Sequence, residues 1–155
     1  MSKNAEKKSA SRPPKRHALG SVPRAPVRPI DGLEGYVLAA QRLVMYSHLN
    51  AAGRLFGGQL MAWIDEATAM ASMHIMKTKR IVTKKFGEVV FDAPGLLGDY
   101  VEIWCRPVHE GTTSLTLDCR VLVRSIEPDI TRQICSSNVV YVALDEDGRP
   151  KAWRK

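Results

Sequence analysis

The chain has 155 residues, 45% of them hydrophobic and 25% charged, enough to build one domain around its own core without disulfide or metal staples. Its formal charge is +7, but residues 1–30 hold eight basic residues against a single acidic one, Glu6, and so carry the whole excess. Residues 31–155 hold fifteen of each sign, which argues against a nucleic-acid-binding body, since phosphate neutralisation needs a basic face as well as a tail. Cys105, Cys119 and Cys135 form no CxxC pair and no even disulfide set, so neither zinc nor disulfides are expected. No 18-residue apolar run suits a membrane span, and the first 30 residues lack the apolar stretch of a secretory signal. A reducing, cytoplasmic setting is the expectation.

Residues 1–30 contain five of the nine prolines and almost no large apolar side chain, so they are expected to be a disordered basic tail. An organelle-targeting arm is the sharper alternative, and the prolines and missing amphipathic stripe speak against it. Residues 31–155 form the expected domain. Residues 35–45 (GYVLAAQRLVM) read as a first strand and residues 46–56 as a polar loop. Residues 57–76 carry Leu60, Ile64, Ala67, Ala71 and Ile75 at helical spacing, with Met61, Trp63, Met70 and Met73 on other faces. A helix apolar nearly all round is expected to be buried. Afterwards the period becomes two: Val101, Ile103 and Cys105 alternate with polar or amphipathic residues, as do Leu115, Leu117, Cys119, Val121 and Val123. Glu110-Gly111 and Pro128-Asp129 supply turns. The expected class is α+β, a strand, one long helix and four antiparallel strands, with the curved sheet wrapped around the helix.

Asp65 and Glu66 interrupt this helix. Asp65 shares a stripe with Met61, Thr68 and Ser72, where a carboxylate is costly unless hydrogen-bonded or used; Glu66 has the wetter face. Phe56-Gly57-Gly58 opens the helix, where free N–H groups and the dipole suit a carbonyl oxygen that turns negative. Plain structural readings, a hydroxyl-bonded Asp and a tight helix entry, stand beside both. Gly58 and Asp65 are seven residues apart, ~10 Å along a straight helix, whereas reacting groups must approach to ~3 Å. If both act, the Asp comes from a second subunit.

Residues 50–65 (NAAGRLFGGQLMAWID) fit N-x-x-G-x-x-F-G-G-x-L-M-x-x-x-D and resemble the YciA-type acyl-CoA thioesterases of the hotdog superfamily. Val82-Thr83, Phe91, Pro94, Gly98-Asp99 and the turn Gly111-Thr112-Thr113-Ser114 are similar in order, so the resemblance covers roughly residues 35–150. It implies a hotdog fold and cleavage of acyl-CoA thioesters. It also implies carbonyl polarisation by Gly57 or Gly58, Asp65 as general base or nucleophile, and Asn50 orienting water or thioester in the opposite half of the site. Sites at a homodimer interface, a trimer of dimers, and no cofactor beyond the CoA of the substrate are further implications. Departures at Gly87 and at Asp92-Ala93-Pro94-Gly95 bear on substrate fit.

The candidate CoA contacts are Phe56, Arg80, Thr83, Lys84 and Gly111-Thr112-Thr113-Ser114. Lys77, Lys79, Arg80, Lys84 and Lys85 could meet CoA phosphates, or could cap a helix and face water. No G-x-S-x-G elbow is present, which disfavours a serine-hydrolase triad. The rivals are a hotdog hydratase or dehydratase, which needs a well-placed histidine, and a non-catalytic acyl-CoA-binding module.

Overall fold

The helix expected over residues 57–76 forms with those bounds in the computed structural model, which describes residues 32–125 and 130–154. This helix, α1 (Gly57–Met76), ends at Lys77, whose left-handed φ of 55° turns its N–H back to the carbonyl of Met73. The strands are β1 (Val37–Leu43), β2 (Ile81–Phe86), β3 (Val90–Phe91), β4 (Tyr100–Glu110), β5 (Ser114–Ser125) and β6 (Ile130–Ala143). The basic tail and the expected Pro128-Asp129 turn lie outside the described residues.

Every strand pair is antiparallel, in the order β1-β4-β5-β6-β2, with β3 also paired to β6. The alternating residues of β4 and β5 bury Val101, Ile103, Cys105, Leu115, Leu117 and Cys119 on one face, and α1 packs there with Leu60, Trp63, Ile64, Ala67 and Met76. The helix touches all five strands of the main order, so the sheet wraps one of its sides in the hotdog arrangement. A register shift after Val121 pairs Leu122 with Gln133 and skips Ile134. This bulge explains how adjacent Ile134 and Cys135 are both buried, and the freed Ile134 carbonyl accepts the Asp92 N–H at 3.0 Å.

Three expectations need adjustment. The first strand is shorter, Val37–Leu43, because Gly35 turns at φ 77° and Val44 leaves the ladder to donate its N–H to Asp99 O. The loop at 46–56 contains a single 3-10 turn, Tyr46–His48, and β3 adds a fifth strand after the helix. The helix is not buried on all sides: Met70 is 53% exposed and, with Val37, Leu38, His74 and Ile75, lines an open apolar groove. One sheet covers one side only, and the apolar character of the other side is left unused within the chain.

The outer face of the sheet has its own polar network. Glu102 is buried and accepts from Gln41 Nε2, Trp104 Nε1 and Arg124 Nε, each at 3.2 Å. Tyr36 hydrogen-bonds Asp118, with the Arg106 guanidinium 4.6 Å over its ring.

All three cysteines are free and buried. Burial pushes the thiols of Cys105 and Cys135 up to about 11, and Cys119, between them across the strands, higher still. The native thiols therefore stay protonated and inaccessible at pH 8. A disulfide reagent is expected to titrate none of them until denaturant is added, and three afterwards. Because their folded values exceed the unfolded one, the stability they allow is complete below about pH 8.5 and declines as pH rises toward 11. Urea midpoints measured from pH 8 to 11 should fall accordingly.

Candidate active site

The 3.6-residue period puts Ile64, Ala67 and Thr68 against the sheet, which leaves Asp65 at the edge of the buried stripe and Glu66 in solvent, paired with Arg42 at 3.2 Å. Asp65 is half-buried. Its Oδ1 accepts two hydroxyl hydrogen bonds, from Thr83 Oγ1 on β2 at 2.8 Å and from Tyr141 OH on β6 at 3.0 Å. Tyr141 is 1% exposed and its hydroxyl also lies 3.0 Å from the Asp65 carbonyl and 2.9 Å from Thr68 Oγ1. Burial, reinforced by the Asp65 charge, raises the Tyr141 phenol well above its ordinary value, so it remains a protonated donor. Thr83, counted above among the candidate CoA contacts, thus reaches the carboxylate itself.

At the other end of α1, Phe56 is the N-cap residue but makes no side-chain cap, and the first turn contains no acidic residue. The N–H groups at the start of the helix are thus open to an outside acceptor. The Phe56 ring is 55% exposed and folds back over Gly58, where an added Cβ would sit 2.5 Å from its Cε1. Gly57, Asn50, Arg54, Leu60, Phe91 and Pro94 line a cleft of about 390 Å³. Its far wall is pinned by buried Asp99, whose Oδ2 accepts from the Leu96 N–H at 2.8 Å and from Arg132 at 3.0 Å. Gly95 passes so close to Leu55 that a Cβ would meet its side chain at 3.1 Å.

Asn50 builds the loop before the helix. Its Oδ1 accepts the N–H groups of Ala52 and Arg54 at 2.9 and 3.2 Å, which leaves its amide NH₂ as the group available to the cleft. Asn50 and Gly57 therefore share one cleft. Asp65 does not line it.

The turn between β4 and β5 is held by backbone bonds: Gly111 N–H donates to Ser114 O, and Ala143 N–H to Thr113 O. Trp153 closes over it, its Nε1 donating to Gly111 O at 3.0 Å and Ser114 O at 3.2 Å while its backbone N–H donates to Thr112 O. A second cleft, about 250 Å³, joins Lys77, Arg80 and Lys151 to Trp153; Arg80 also pairs with Glu146 at 2.9 Å. Lys84 is exposed on β2. Tyr141 and Trp153 escape a reading of the sequence because each acts on residues many positions away; alternation marks Tyr141 as a buried strand residue and nothing more. Among the described residues, no three His, Cys, Asp or Glu side chains gather closely enough for a metal ion.

The family model of the thioesterase superfamily matches residues 52–127. The chain is 34% identical over 118 residues to the acyl-CoA thioester hydrolase YciA of Escherichia coli K12, a match covering 74% of this chain and 89% of that one. The hexameric thioesterase y2039 from Yersinia pestis is similar in structure, with a TM-score of 0.72 and 28% identity over 77% of this chain and 96% of that one. An acyl-CoA hydrolase from Staphylococcus aureus, solved in complex with butyryl coenzyme A and coenzyme A, gives 0.69 and 28% over 77% and 72%.

The loop role of Asn50 separates from any role in the cleft. Asn50→Ala removes both acceptor bonds and is expected to lower unfolding free energy by about 1 kcal/mol, whereas Asn50→Asp keeps the acceptor and most of the stability. Urea denaturation of the two variants checks this.

Proposed function

This chain belongs to the YciA-type acyl-CoA thioester hydrolases of the thioesterase superfamily, and from that premise we propose that it hydrolyses acyl-CoA to a free fatty acid and coenzyme A. The observation that carries the reading is the half-buried Asp65 carboxylate, held through one oxygen by Thr83 and Tyr141 at the edge of the buried helix stripe. Such a group acts as general base for water or as nucleophile on the thioester carbon. The uncapped N–H groups at Gly57 and Gly58 receive the carbonyl oxygen as it becomes an oxyanion, and the Asn50 amide donates in the cleft that Gly57 lines. The hydrogen-bonding partners of Asp65 are a threonine and a tyrosine, not the histidine a hydratase would use.

One helix holds Asp65 and Gly58 ~10 Å apart, so the working site is proposed to combine Asp65 of one protomer with the partner subunit's Gly57, Gly58 and Asn50. The β2 edge supports this: it ends the strand order and carries Thr83 beside Asp65. A homodimer formed there, assembled further into the hexamer described for the Yersinia pestis relative, is the proposed state. For the CoA moiety, Arg80 and Lys84 meet phosphates, and Phe56, Thr83 and the Gly111-Thr112-Thr113-Ser114 turn flank the pantetheine arm. The reaction as proposed uses no metal or bound cofactor. The three reduced, buried thiols suit a reducing compartment, and a cytoplasmic location is proposed.

Thiol release from a panel of acyl-CoAs tests the activity; binding without release of CoA would favour a non-catalytic module. Asp65→Asn should lower kcat by roughly 10² to 10⁴ with an unchanged circular dichroism spectrum. Undiminished turnover removes Asp65 from the mechanism. Sharing between subunits is tested by co-expressing Asp65→Asn with Asn50→Asp: a mixed dimer holds one intact composite site. Random pairing should therefore restore about a quarter of wild-type activity, whereas a site contained within one chain restores none.

A further inference from the structure

Both hydroxyls that reach Asp65 converge on the same oxygen, Oδ1; among the described residues, no hydrogen bond reaches Oδ2. The two donors differ in setting. Thr83 is exposed, so water competes for its bond. Tyr141 is buried in β6, and behind it Thr68, 0% exposed, places its Oγ1 at 2.9 Å. The Thr68 hydroxyl lies 2.6 Å from Ile64 O and 2.9 Å from the Tyr141 oxygen; donated to the latter, its proton holds the Tyr141 hydroxyl from behind. The Tyr141 proton then has two acceptors in reach: the Asp65 carbonyl and Asp65 Oδ1. An ionised carboxylate is the stronger of these, and charge-assisted bonds are roughly twice as strong as neutral ones.

We propose that Tyr141, backed by Thr68, is a positioning residue that locks the Asp65 rotamer through Oδ1, so that Oδ2 alone faces the attacking water or the thioester carbon. This rests on the reading of Asp65 as the reacting group. Tyr141 acts through the carboxylate it hydrogen-bonds. Water cannot enter to replace it, because both Tyr141 and Thr68 are closed off by α1 and the sheet.

Tyr141→Phe keeps the ring and deletes the hydroxyl. It is expected to lower kcat about 10- to 100-fold while KM for an acyl-CoA stays within about threefold, since ground-state binding does not depend on the Asp65 rotamer. Rates are measured well below the unfolding midpoint of each variant, and Asp65→Asn is run in parallel. Thr68→Val and Thr68→Ser form the second pair: the valine should lower kcat several-fold and the serine, which keeps the hydroxyl, should recover it to within about twofold.

An inactive Asp65→Asn alongside a Tyr141→Phe enzyme whose kcat is unchanged overturns the positioning role and leaves the carboxylate assignment standing. A full-speed Asp65→Asn overturns both. A rise in KM at constant kcat, or a loss of kcat that only follows the folded fraction, also overturns the proposal. If Tyr141→Phe does not fold, the Thr68 pair decides: equal rates for valine and serine overturn the proposal, and loss with valine and recovery with serine support it.

Discussion

The burial of one stripe of α1 against the concave face of the sheet is the contact from which the other features follow. Ile64, Ala67 and Thr68 are fully buried there, and at 100° per residue this fixes the direction of every other side chain on the helix. Asp65 falls on the border of the stripe, close enough to β6 to reach Tyr141 and close enough to the sheet edge to reach Thr83. A rotation of about 100°, one residue's worth, would put the carboxylate either into the apolar core where Ile64 sits or into open water beside Glu66. The packing of small and branched apolar residues on the sheet therefore sets the chemistry of a charged one.

The two ends of the proposed chemistry sit at opposite requirements. A carboxylate needs hydroxyl partners and a partly dry setting, and the middle of the helix supplies both. A developing oxyanion needs unsatisfied N–H groups, and the uncapped start at Phe56-Gly57-Gly58 supplies them. Helix rise keeps these two places apart, so a protein that uses both must bring in a second copy. The loop before the helix and the segment at 92–99, which shape the cleft, are well braced, by Asn50 and by Asp99 with Arg132.

Particular residues show how much was legible beforehand. The helix bounds were, because good helix formers with helical apolar spacing run from Gly57 and stop at Met76. The alternating strands β4 and β5 were, because period two changes face with every residue. Asp65 stood out because a carboxylate on a stripe of apolar and small hydroxyl residues is costly unless hydrogen-bonded or used. The Ile134 bulge was hidden, since two adjacent buried residues obey no simple period, and β3 was hidden because two residues make no pattern. Asn50 was singled out through a resemblance, whereas its bond to its own loop emerged only in three dimensions.

By itself, the sequence determined the basic tail with its whole net charge, the neutral body, the helix and the presence of an acid within it. These are local or additive properties, carried by composition and spacing. The tertiary structure alone decided which hydroxyls reach Asp65. Tyr141 lies 76 positions further on, in the fifth strand after the helix, and Thr83 on a strand at the sheet edge; their meeting depends on strand order and register. No local pattern encodes that convergence, because it is the closure of the sheet over the helix that brings distant residues to a single oxygen atom.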